Sequence, residues 1–89
     1  MIRLYGVAVA EDDARGLVAA LLAEGDPWAV AAARTISLGL AANAVVALTV
    51  HQRDAILAVL EKVPLAGLGE LRSALTQDAL ERRGQPAVK

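Results

Sequence analysis

The chain has 89 residues, of which 56% are hydrophobic and only 2% aromatic, and its formal net charge is −1. This length suffices for one compact domain, and the near-neutral charge gives no overall field that would attract nucleic acid or an anionic membrane. The absence of cysteine excludes disulfides, thiolate catalysis and thiolate metal sites, and it fits the reducing cytoplasm in which we expect the protein. The longest uncharged stretch, between Arg34 and His51, is shorter than the ~20 residues that span a bilayer.

The first segment of the chain predicts a strand and a helix. Apolar residues alternate with smaller or polar ones over residues 2–10, with a change of phase at Gly6, which indicates a half-buried strand with a bulge or bend. Three acids at 11–13 suit the first turn of a helix, where free backbone N–H groups carry partial positive charge. An apolar stripe over residues 14–22 continues this helix, and Gly25 is suited to be its C-cap.

A second helix and a second strand follow. Asp26 can cap the helix, and Pro27 suits its first position, where a missing N–H costs nothing. Gly39 is the expected end of this helix, and Asn43 marks the turn beyond it. The β-branched and apolar run at 44–50 predicts the second strand.

The last part of the chain predicts two more helices. Thr49 and Gln52 have the spacing of a capping box, which begins the third helix. Pro64 ends that helix, and Gly67 lies in the connector. A leucine stripe over residues 68–83 predicts the fourth helix.

These elements predict an α+β domain built from duplicated strand–helix–helix units. The units cover about residues 2–42 and 43–83 of one domain, 1–84, which a flexible tail at 85–89 follows. Shifts of 38 and 39 residues compete as the register of the repeat. A pseudo-two-fold axis between the halves would pair the two strands antiparallel, with four helices on one face. Two strands make a marginal sheet, so we expect its edge to pair with a second copy.

The residues that could take part in catalysis or bind a metal or cofactor do not form a known motif in this sequence. His51 is the only histidine, and we interpret it as a surface residue in the first turn of the third helix. The acids at 11–13 fan out by about 100° per residue, so they do not converge on one ion. If the strands were parallel, these acids and His51 would share an edge of the sheet, and a metal site would become conceivable. The glycines match no phosphate-binding pattern, and we therefore predict a protein without catalytic activity or cofactor.

The leading hypothesis is a protein–protein interaction domain, either a homodimer or a small accessory subunit of a larger assembly. The apolar excess of so small a chain favours burial against another chain. The alanine- and arginine-rich composition is typical of bacterial proteins, which is the origin we expect. The predicted interface residues are apolar and lie off or at the margin of the core stripes: Tyr5, Trp28, Leu57, Leu65 and Leu80.

The alternative hypothesis is a small DNA-binding regulator or antitoxin-like protein. Two helices joined by a short glycine-containing turn can form a helix-turn-helix. In this hypothesis helix 68–83 binds DNA through Arg72, Gln77, Arg82 and Arg83. Three acids on the same helix and the acidic overall balance argue against it.

Overall fold

The computed structural model describes residues 2–84 and shows an α+β fold of four helices and three short strands. In chain order the elements are β1 (Ile2–Leu4), β2 (Val7–Val9), α1 (Glu11–Glu24), α2 (Pro27–Ala42), β3 (Val45–Val46), α3 (Val50–Lys62) and α4 (Gly69–Arg82). The strands form one mixed sheet in the order β2-β1-β3. The predicted α+β class is confirmed. Residues 85–89, where a flexible tail was predicted, lie outside the described part.

The predicted first strand is a β-hairpin rather than one bent strand. Tyr5 and Gly6 have φ values of 49° and 80°, so the chain reverses between Leu4 and Val7, which pair with each other. Two consecutive positive φ values are the geometry of a two-residue hairpin turn of type I′. The change of phase in the alternating pattern at Gly6 therefore marks a complete reversal of the chain. The sheet has three strands, not the predicted two.

The predicted antiparallel pairing of the first and second halves is also wrong. β3 pairs with β1 in parallel, with Arg3 opposite Val45 and Leu4 opposite Val46. The hairpin explains the difference, because it adds one reversal of the chain before the two helices. When the chain returns from α2, it therefore runs in the direction of β1.

The structure does not confirm the predicted duplication. The first half begins with the hairpin, whereas the second begins with the two-residue strand β3. The connections between helices also differ, since residues 25–26 join α1 to α2 and residues 63–68 join α3 to α4. The halves share an order of helices but differ in their strands and in the connections between helices.

The core lies between one face of the sheet and the helices. The end residues of β1 and of β2 are buried and the middle ones exposed, so one face of the sheet packs on the helices and the other faces solvent. The largest buried side chains come from the strands and all four helices: Leu4, Val9, Leu17, Leu21, Ile36, Ile56, Val59, Leu68, Leu71 and Leu75. Small residues let α2 approach β3 closely: a Cβ at Gly39 would overlap Val46 Cγ2.

Helix ends follow the local signals of the sequence with one exception. Asp26 accepts hydrogen bonds from the backbone N–H groups of Trp28 and Ala29, at 3.0 and 3.1 Å. Thr49 and Gln52 form the predicted reciprocal capping box. Helix α2, however, does not end at Gly39; it continues to Ala42, and Asn43 closes it in the left-handed conformation. Among residues 2–84, no helix has the length and apolar character needed to cross a membrane.

Candidate functional site

An apolar surface lies on the outer side of the α1–α2 hairpin. We call it the α1–α2 face; it comprises Val18, Ala19 and Leu22 of α1 with Ser37, Leu38 and Ala41 of α2. Leu38 is 72% exposed and Leu22 is 52% exposed, although both lie within regular helices. The face encloses a shallow groove of about 440 Å³ between the two helices.

The face exists because both helices are apolar on two sides. In α1, Leu17 and Leu21 are buried in the core; of the residues that follow them, Val18 is partly buried against the core and Leu22 is exposed. In α2 the buried stripe includes Ile36, and Leu38 lies about 200° further around the helix. A helix that is apolar all round is normally buried on all sides. Contiguous exposed apolar surface in a small monomer marks an interaction site.

Charged residues border the two ends of the face. At one end, in the first turns of α1, lie Glu11, Asp12 and Arg15, and Arg15 donates a hydrogen bond to Glu11. This bond, helped by their mutual attraction, lowers the pKa of Glu11 and raises the pKa of Arg15. At the other end lies Arg34, which lines a second, smaller hollow of about 290 Å³ together with Leu22 and Leu38. Arg34 forms no ion pair with any residue in 2–84.

A second polar feature is a hydrogen-bonded cluster around Asp78, the one charged residue that is buried within the described part of the chain. Asp78 accepts hydrogen bonds from Tyr5 Oη at 2.9 Å, Arg53 Nε at 3.1 Å and Arg82 Nε at 3.0 Å. The Arg53 guanidinium also lies over the Tyr5 ring, 5.0 Å from its centroid, and donates to the carbonyl of Leu48 at 2.7 Å. The cluster thus joins the hairpin turn, α3 and α4.

The electrostatics of the cluster stabilise the ionised carboxylate. Burial alone would raise the pKa of Asp78, but the hydrogen bonds from Arg82, Tyr5 and Arg53 outweigh it, so that the pKa lies below its ordinary value. The hydrogen bond to Asp78, together with burial, raises the pKa of Tyr5. Hydrogen bonds to Asp54 and Asp78 raise the pKa of Arg82. Because no buried side-chain N or O atom within 2–84 lacks a partner, the cluster is a completed structural contact.

The sequence did carry a signal for Asp78. It follows Leu71 and Leu75 by seven and three residues, which places it on the buried stripe of α4. In the sequence, Asp78 is one of the three acids on helix 68–83 that argue against DNA binding. Its partners Tyr5 and Arg53 come from distant segments, so they could not be assigned before the fold was known.

The lone tryptophan and histidine form an exposed aromatic stack. The Trp28 and His51 rings lie 4.4 Å apart between centroids, at an interplanar angle of 20°. Trp28 lies in the first turn of α2 and His51 in the first turn of α3. Trp28 remains 48% exposed, so the stack is a surface contact between two helix starts.

The five residues predicted for an interface are scattered over the molecule. Tyr5 is 39% exposed and bonded to Asp78, and Leu80 is 38% exposed on α4. Trp28 stacks on His51, as described above. Leu65 is partly buried against the core. Leu57 is buried within the core, because α3 packs on both α2 and α4, so it is not accessible to a partner.

The residues of the nucleic-acid alternative form no continuous basic surface. Arg82 is paired with Asp54 and Asp78. Gln77 donates a hydrogen bond to Glu81 at 3.2 Å. Arg72 borders shallow polar surface on α4, and Arg83 is the C-cap residue of that helix.

The acids at 11–13 and His51 do not meet, even though β1 and β3 are parallel. Strand β2 runs antiparallel to β1, so the acids, which follow β2, lie at the end of the sheet where β1 and β3 begin. His51 follows β3 and lies toward the opposite end. Across residues 2–84 no group of three or more metal-ligating side chains comes together.

Comparison of the chain with models of protein families, with curated proteins and with solved structures found no match. Function is therefore inferred from the surfaces of the chain itself. Of these, the α1–α2 face combines two exposed leucines, Leu22 and Leu38, with a groove between two helices.

Proposed function

We propose that this chain is a non-enzymatic protein–protein interaction domain that binds its partner through the α1–α2 face. The partner is a second copy or a subunit of a larger assembly. The observation that carries the proposal is the exposure of Leu38 and Leu22, which line one hollow between two neighbouring helices.

The energetics favour a partner on this face. Full burial of a leucine side chain contributes about 1.5–3 kcal/mol, so covering the exposed fractions of Leu22 and Leu38 would contribute roughly 2–4 kcal/mol in each chain. Ala19, Ser37 and Ala41 are small, so a partner's backbone can approach closely. These residues lie within helices, so binding needs little ordering of the backbone.

The DNA-binding alternative has less support from the geometry. Two of its four residues, Gln77 and Arg82, are engaged with acids of the same chain. Arg72 and Arg83 remain, and two cations give only a weak phosphate-binding surface. A salt-dependent affinity for DNA that Arg72→Ala removes would restore this alternative.

Site-specific photo-crosslinking in the producing cell tests the proposed function. A photoreactive amino acid replaces Leu38 in one variant and Ala58, an exposed residue of α3, in a matched control. We expect one protein adduct of discrete mass from position 38 and none from position 58. Adding Leu22→Glu should abolish the adduct. No adduct at 38, or the same adducts at both positions, would show that the α1–α2 face is not a protein-binding surface.

A further inference from the structure

We infer that the partner on the α1–α2 face is a second copy of this chain. The two copies are related by a two-fold axis perpendicular to the helices, so that each helix runs antiparallel to its equivalent in the other copy. This inference rests on the proposed function and names the partner that it leaves open. The dimer would be a four-helix bundle made from two α1–α2 hairpins.

The face has the shape that a symmetric contact requires. In a two-fold dimer each surface meets an identical one, so a protruding residue must find a recess in the same patch. Leu38 protrudes near the middle of the α1–α2 face, and the groove lined by Val18, Ala19 and Ala41 lies beside it. Leu38 of each copy can therefore enter the groove of the other.

The charges at the two ends select the orientation. Glu11 and Asp12 outnumber Arg15 at the N-terminal end of α1, whereas Arg34 lies at the opposite end of the face. The nearby acid Glu24 is already paired with Lys62 of α3, at 2.7 Å. An end-for-end arrangement brings the acids of one copy to the same end as Arg34 of the other. An arrangement that places the same end of both copies side by side would bring like charges close to each other, which is unfavourable.

The dimensions of the hairpin also fit a second hairpin. Helices α1 and α2 have 14 and 16 residues, which corresponds to about 21 and 24 Å at 1.5 Å per residue. Pairing two antiparallel helical hairpins face to face is a common way to build a four-helix bundle. The apolar part of the contact would bury the exposed side chains of residues 18–22 in α1 and 37–41 in α2.

The strand edges offer a poorer contact between copies. We predicted that a second copy would pair at a sheet edge, but the outer edges belong to β2 and β3, which have three and two residues. Such short strands provide few backbone hydrogen bonds, and short edges are a means by which proteins avoid edge pairing. The α1–α2 face, by contrast, presents side chains from two helices of 14 and 16 residues.

Charge reversal measured by sedimentation equilibrium tests the inference on the full chain. The unaltered protein should sediment as a dimer, with twice the chain mass of 9.2 kDa. Arg34→Glu and Asp12→Arg should each weaken dimerisation about tenfold, since two-fold symmetry repeats each lost attraction. The double variant should return to within about threefold of the original dissociation constant, because the reversed charges attract again.

Glu70→Arg on α4 is the matched control and should leave the dissociation constant of the dimer unchanged. Circular dichroism confirms that every variant is folded.

Two results would overturn the inference. A double variant about a hundredfold weaker than the unaltered protein would show that the two charges do not face each other. A chain that stays monomeric at about 100 μM, the concentration range of weak complexes, would exclude the second copy. If position 38 still crosslinks to a different protein in cells, the proposed function stands and only the identity of the partner changes. If position 38 crosslinks to nothing, both fail.

Discussion

Tyr5 in the hairpin turn donates a hydrogen bond to Asp78 on α4, and this contact closes the fold across a sequence separation of 73 residues. The backbone of Tyr5 has a φ of 49°, which is unfavourable for a bulky residue by about 1–3 kcal/mol. The hydrogen bond to Asp78 and the contact of the ring with Arg53 offset this cost. Together they explain why a tyrosine occupies a turn position that asparagine or glycine usually fills.

The alkaline titration of Tyr5 should report this contact. Tyr5 is the only tyrosine, so absorbance at high pH follows it alone. Its pKa in the folded protein should lie above the ordinary value of 10.0. The contact therefore stabilises the fold below about pH 10, and this stabilisation is lost as the pH rises through the folded-state pKa. Asp78→Asn should move the pKa down toward 10, and Glu70→Gln, a control on the same helix, should not. Equal titration curves for the native protein and Asp78→Asn would contradict the account.

Removal of the Asp78 carboxylate should destabilise the protein strongly. Asp78→Ala leaves Arg53 with a poorly exposed charge and should lower the free energy of unfolding by about 3 kcal/mol. Asp54→Ala, which removes the half-exposed partner of Arg82, should cost at most about 1 kcal/mol. Urea unfolding at neutral pH measures both changes. Equal effects of the two substitutions would show that the cluster does not depend on Asp78.

The contribution of Asp78 should also depend on acid pH. Its folded-state pKa lies below the ordinary value of 3.8. As the pH falls, Asp78 is therefore protonated in the unfolded chain before it is protonated in the folded protein. The stabilisation is complete above the unfolded-state pKa and is lost as the pH decreases toward the folded-state pKa. The difference in stability between the native protein and Asp78→Asn should therefore shrink below about pH 4. A difference that stays constant from pH 6 to about pH 2.5 would contradict the lowered pKa.

Gly39 should resist replacement by alanine, although alanine is the better helix former. A Cβ at position 39 overlaps Val46 Cγ2 where α2 crosses β3. Overpacking of this kind costs about 1–3 kcal/mol and exceeds the gain of roughly 1 kcal/mol in helix propensity. Thermal unfolding should show net destabilisation for Gly39→Ala. In a Val46→Ala background the same substitution should be neutral or stabilising, because the overlapping methyl group is gone. Additive effects would mean that this contact does not limit the approach of the helix.

The sequence predicted what local chemistry determines. The caps at Asp26 and Thr49, the C-cap at Gly25 and the end of α3 before Pro64 all depend on residues within a few positions of one another. Chain reversal at Tyr5 was missed because tyrosine is rare at positive φ, so the alternating pattern suggested one continuous strand. The parallel pairing of β1 with β3 was then missed as a consequence.

The candidate surface was harder to predict for a different reason. Alanine-rich helices carry apolar residues on several sides, so Leu22 and Leu38 could not be separated from the core stripes by spacing alone. Trp28 and Leu57 are predicted for an interface because they lie off or at the margin of those stripes. In the fold, Trp28 is covered partly by His51, and Leu57 is covered by neighbouring helices. Only tertiary contacts determine which apolar stripe remains open.

Light scattering on paired glutamate variants tests the central claim most directly. Leu38 and Val45 are similarly exposed, at 72% and 76%, but Val45 lies on the solvent-facing side of the sheet. The unaltered protein and Val45→Glu should both have the mass of two chains at about 100 μM, and Leu38→Glu should have the mass of one while remaining folded. A monomeric unaltered protein, or a Leu38→Glu variant that stays dimeric, would contradict a dimer formed through the α1–α2 face.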